Sequence, residues 1–88
     1  MDRPSAETRL REFILRELIS DEDIDLGAEE AIFSSGLADS FAVTQLICFL
    51  EDQFGVRISP RDVTLRDLDS VSRILDLLQT LQDRSASR

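Results

Sequence analysis

The 88-residue chain has no histidine and no lysine; all 10 of its bases are arginines. Without histidine the usual general base of a serine-nucleophile triad is missing. Cysteine occurs once, at Cys48. A single cysteine excludes an internal disulfide and a cysteine zinc cluster, and a reduced, cytosolic setting is the expectation. No apolar run has the length of a membrane span. Charges are spread through positions 1–18, so no signal peptide is expected there. Three glycines and two prolines are few, and 42% of the residues are hydrophobic. That balance favours one packed domain over disorder. The expected domain is 1–88, with a core of about 6–82 and polar, frayed ends at 1–6 and 84–88.

Bases are also missing locally. Between Glu17 and Val56 there are ten acids and no base, a charge of -10, whereas the flanks together carry +2. A nucleic-acid binder needs a basic stripe, and the middle of this chain is the opposite. An anionic membrane surface is disfavoured for the same reason. Protein partners with basic docking patches are favoured, because complementary charge speeds encounter. The plainer reading is a solvated acidic surface that keeps the protein soluble.

What is present reads as helix, with no convincing strand. Leu10, Phe13, Ile14 and Leu18 share one face of a first helix running from about Ser5 or Ala6 to Ile19. Ser5 is its expected N-cap, with Glu7 in the first turn. Positions 20–39 form a long connection, with Ile24, Leu26, Ile32 and Phe33 as expected anchors and Gly36 as the final turn. A second helix starts near Ser40 with Asp39 as N-cap; Val43, Leu46, Ile47, Leu50 and Phe54 form its apolar stripe. Gly55 suits its C′ position. Residues 56–60 are expected to be extended, since Pro60 disfavours helix before it. Thr64 to Leu68 reads as one helical turn with Leu65 and Leu68 facing in. Asp69 and Ser70 then offer a cap to a last helix, about Val71 to Gln82, that buries Val71, Ile74, Leu75, Leu78 and Leu81. The expected class is all-α: three long helices and a short one around one core.

Three constellations could carry chemistry. Paired carboxylates abound, yet no set of residues fills the roles of acid, base and stabiliser, so no catalytic residue is assigned. The acidic loop invites a calcium reading, because Asp21, Asp23 and Asp25 match the first, third and fifth ligands of an EF-hand loop. The pattern fails at the sixth position, Leu26, and at the twelfth, Ile32, so no metal site is expected. Cys48 has no electropositive neighbour in sequence and is expected to be a small, half-buried apolar residue. Ser40 could be an ordinary helix-start serine. What sets it apart is its surroundings.

The stretch Ile32-Phe33-Ser34-Ser35-Gly36-Leu37-Ala38-Asp39-Ser40-Phe41 resembles the phosphopantetheine attachment motif of the acyl carrier and peptidyl carrier proteins. Positions 50–58 are similar to that family's second helix and its exit, and Leu68-Asp69-Ser70-Val71 with Ile74 to the approach to its last helix. The resemblance spans roughly Leu10 to Leu81. It implies a four-helix bundle of acyl-carrier type with a long first loop and a short third helix. It further implies 4′-phosphopantetheine on Ser40, beside Asp39, attached by a phosphopantetheinyl transferase that uses coenzyme A and magnesium. The arm's thiol then carries an acyl or aminoacyl group as a thioester. A phosphodiester at Ser40 is expected to sit against bare N–H groups of the second helix. The implied partners are the transferase, an acyl or aminoacyl ligase, and an acyltransferase or condensing enzyme. Their implied docking face joins Leu37, Phe41 and Leu65 to Gln45, Glu51 and Asp52. Fatty-acid-synthesis carriers bear acids just after the serine, where this chain has Ala42 and Gln45. The resemblance therefore points to a stand-alone monomeric carrier of polyketide or nonribosomal peptide assembly; D-alanyl carriers share the same Asp-Ser frame. The competing reading is an acidic helical adaptor with no prosthetic group.

Overall fold

The computed structural model describes residues 2–19, 26–39, 41–59, 61 and 63–86, with side chains up to 83. Three α-helices, α1 (Arg3–Phe13), α2 (Ala42–Phe54) and α3 (Val71–Ala86), carry the fold. A π-helical stretch, Ile14–Leu18, extends α1, and a 3-10 turn, Leu65–Leu68, precedes α3. There is no strand among the described residues. The short third helix implied by the resemblance is thus a single 3-10 turn.

Helix α1 begins before the expected Ser5. Asp2 is its N-cap and Pro4 lies in its first turn, where a missing N–H costs nothing. Ser5 is inside the helix and donates its hydroxyl to Asp2 Oδ2 at 2.6 Å. Positions 3–6 are therefore not frayed, and Ala6 is buried. At the other end the N–H of Ile19 reaches back five residues to the Ile14 carbonyl at 2.9 Å, which closes the π turn. Helix α3 outruns its expected end at Gln82 and continues to Ala86.

The core draws on every element. Leu10 and Ile14, Leu46 and Leu50, and Ile74, Leu75 and Leu78 are sealed from solvent. From the long connection Leu26, Ile32, Phe33 and Ala38 join them. Ile24 lies outside the described residues. Phe49, absent from the expected stripe of α2, stacks on Phe13 with ring centroids 4.0 Å apart and meets Phe54 edge-on at 6.1 Å. Beyond α2, Val56 and Ile58 are buried while Arg57 between them is exposed, the alternation of an extended segment. Leu68 faces inward, but Leu65 does not: it is 45% exposed.

Candidate functional site

The segment before α2 is held by its own backbone. The N–H of Ala38 donates to the Ile32 carbonyl at 3.0 Å, which closes a loop over 32–38. Within it the N–H of Gly36 donates to the Phe33 carbonyl at 3.1 Å. Gly36 has φ +87°, a backbone angle that a side chain rarely adopts. Both serines of the turn spend their hydroxyls on the loop itself. Ser34 Oγ donates to Asp69 Oδ2 at 2.6 Å, and Ser35 Oγ donates to the Ala31 carbonyl.

A second layer of bonds ties this loop to the start of α3. Asp69 Oδ1 accepts the N–H groups of Ile32, Phe33 and Ser34 at 3.2, 2.7 and 3.0 Å. The Asp69 carbonyl accepts the Ile32 N–H as well, at 2.7 Å. Nearby, the N–H of Ser72 donates to the Ala28 carbonyl at 2.9 Å. Burial by itself raises the Asp69 pKa. The Ser34 hydroxyl and the three N–H donors outweigh it, and the net effect holds the carboxyl below its ordinary range. Capping of α3 falls to Ser70 alone: it is buried, and its Oγ accepts the Arg73 N–H at 3.2 Å. Read from sequence, Asp69 and Ser70 are one cap. In three dimensions they do two jobs.

Helix α2 begins at Ala42 with Phe41, not the expected Asp39, at its N-cap position and with no side-chain cap bond. Asp39 lies two residues ahead of that cap and braces the turn that leads into the helix. Its Oδ1 accepts the N–H groups of Phe41 and Ala42, at 3.1 and 3.3 Å. Of the α2 N–H groups expected to face a phosphodiester at Ser40, that of Ala42 is taken by Asp39. Ser40 lies outside the described residues. Its neighbours on both sides, Asp39 and Phe41, are exposed, and Phe41 is 84% exposed.

The other sequence-derived residues do not gather at this mouth: Glu51 and Asp52 lie in the last turns of α2. Among the described residues the exposed large apolar side chains are Phe41 and Leu65. Leu37 is half-buried against the core. Gln45 and Asp52 line a shallow groove of about 490 Å³ between the end of α1 and α2, together with Phe13, Glu17 and Cys48. Cys48 is exposed rather than half-buried, because it follows Thr44 and precedes Asp52 by one turn on the solvent side of α2. Glu51 faces differently: its Oε2 accepts the Ile58 N–H at 3.0 Å. Leu46 and Leu50 of α2, Leu68 of the 3-10 turn and Leu75 of α3 are each 1% exposed or less.

Among the described residues no three of His, Cys, Asp and Glu come together as metal ligands. The acidic positions 21–25 lie outside them. No helix among the described residues is long and apolar enough to cross a membrane. The sequence-stretch 9–81 matches a family model described as the phosphopantetheine attachment site.

Proposed function

Because the chain belongs to the phosphopantetheine-attachment family, whose members carry the cofactor covalently on a serine, we propose that it is an acyl carrier protein with its arm on Ser40. The observation that carries this reading is the exposed mouth of α2: Asp39 bonds the backbone that leads into the helix on one side of position 40, and Phe41 stands in solvent on the other. The two other serines of the loop have hydroxyls engaged by Asp69 and Ala31. Domains of this family are generally non-catalytic. The bound arm supplies the thiol that holds cargo as a thioester. The chain's own residues present the hydroxyl, orient the helix mouth, and offer no histidine or lysine to attack that thioester.

In this reading the protein works as a cytoplasmic monomer with the working shape of a four-helix carrier, the 3-10 turn standing for the short third helix. The cargo is an acyl or aminoacyl group of polyketide or nonribosomal peptide assembly. Ala42 and Gln45, which leave the start of α2 without acids, support a specialised pathway over fatty acid synthesis. A phosphopantetheinyl transferase, an acyl or aminoacyl ligase, and an acyltransferase or condensing enzyme are its partners. Phe41 and Leu65 are the apolar contacts of the docking face, with Leu37, Gln45 and Asp52 around them.

Two steps test the reading. Tandem mass spectrometry of the modified protein should place the arm on Ser40 and not on Ser34 or Ser35. The modified protein is then offered amino acids with adenylating ligases, and malonyl-type thioesters with acyltransferases. Loading by either supports the pathway class. Loading only by the enzymes of fatty acid synthesis contradicts it.

A further inference from the structure

Three consecutive N–H groups, from Ile32, Phe33 and Ser34, converge on one oxygen of Asp69. Successive backbone donors aimed at one point form an anion-binding concavity. Here the anion is built in, and it comes from a residue that touches the start of α3 rather than from the loop. The bonds continue from it without a gap. Asp69 holds Ile32, Ile32 holds Ala38, and the next residue, Asp39, holds Phe41 and Ala42. Both residues flanking position 40 are thus tied, through the loop, to one carboxylate two residues ahead of α3.

We infer that Asp69 is a positioning residue for arm attachment: it fixes the 32–39 loop against the start of α3, and with it the residues that flank position 40, in the arrangement that the transferase engages. The inference rests on the proposed attachment at Ser40. A nucleophile displaced by about 1 Å can lose about a hundredfold in rate, because the entropy of alignment is no longer settled in advance. The carboxylate bonds the 32–34 loop and not the exposed side chains of Phe41 and Leu65 on which docking is proposed to rest. Loss of the clamp therefore acts on kcat more than on KM.

The Asp69 pKa fits a clamp that stays charged throughout the neutral range. The role was not legible in the sequence, where Asp69 and the loop it holds are separated by 35 to 37 positions.

The test compares transferase kinetics of the wild type with Asp69→Asn, Asp69→Ala and Ser34→Ala, using coenzyme A as donor. Ile74→Val, a mild core change in α3, serves as a control of comparable stability loss. Each is assayed at a temperature where circular dichroism shows it folded, and Ser34→Ala, which removes one donor only, carries the test if Asp69→Ala does not fold. The expected result is a kcat lower by about tenfold or more in Asp69→Asn with KM within about threefold, faster amide exchange at 32–34, and Ile74→Val near wild type. Unchanged kcat in the Asp69 variants, or an equal loss in Ile74→Val, overturns the inference. A wild type that accepts no arm, or accepts it on another serine, instead overturns the attachment reading on which the inference stands.

Discussion

The carboxylate of Glu51, on the last turns of α2, accepts the backbone N–H of Ile58 at 3.0 Å. It turns the chain back along the core just after the helix stops. Glu51 is half-buried, and Ile58 is buried. A charge-assisted bond to a backbone donor contributes about 1.5–3 kcal/mol, and less where solvent reaches it. Glu51→Ala is expected to lower stability by about 1–2 kcal/mol in urea unfolding. A loss confined to partner affinity, with stability unchanged, would show that the residue serves docking alone.

Gly55 ends α2 with φ +64° and donates its N–H to the Glu51 carbonyl at 3.1 Å. A Cβ built there meets no atom within 4 Å. The cost of Gly55→Ala is therefore backbone strain alone, about 1 kcal/mol. Thermal denaturation of the two proteins measures it. No change in midpoint would mean that the left-handed turn is not required.

Asp69 sets the sign of a pH effect. Its carboxyl is held below the ordinary range in the folded chain, so the fold favours the ionised form. The stability it supplies is complete above the unfolded-state pKa of about 4. It is lost as pH falls through the lower folded-state value. The acid limb of stability against pH should be shallower in Asp69→Asn. Identical slopes in the two proteins would mean that the clamp contributes nothing.

Phe41 is 84% exposed, so Phe41→Ala leaves almost no core contact to lose. Stability should change by no more than about 0.5 kcal/mol. The KM of the transferase for the carrier should rise, since an exposed aromatic is the usual anchor of an interface. An unchanged KM would remove Phe41 from the docking face.

Much of the architecture was legible because it rests on local rules. The 3.6-residue spacing of Leu46, Leu50 and their neighbours, and of Ile74, Leu75 and Leu78, is enough to place α2 and α3. Gly55 marks the end of α2 by its backbone freedom, whereas the start falls two residues beyond the expected Asp39 cap, because Asp39 bonds the turn ahead of the helix. The start of α1 was misread because Ser5 looks like a cap, while Pro4 in front of it is itself a first-turn residue. Phe49 was missed because its partner, Phe13, sits on another helix. The i, i+3 spacing puts Leu65 on the face of Leu68, yet Leu65 is 45% exposed because the inward position is taken by Leu68 alone. The Asp69 clamp and the Glu51–Ile58 bond depend on which segments meet in space. No periodicity records that. The Asp-Ser pair carried the site in sequence only because the whole frame around it resembles a carrier.

The most direct measurement is the intact mass of the purified protein before and after incubation with coenzyme A, magnesium and a broad-specificity phosphopantetheinyl transferase. The wild type should gain the mass of one phosphopantetheine arm, and Ser40→Ala should gain nothing. A folded wild type that gains no mass, or a Ser40→Ala protein that gains as much as the wild type, would contradict the account.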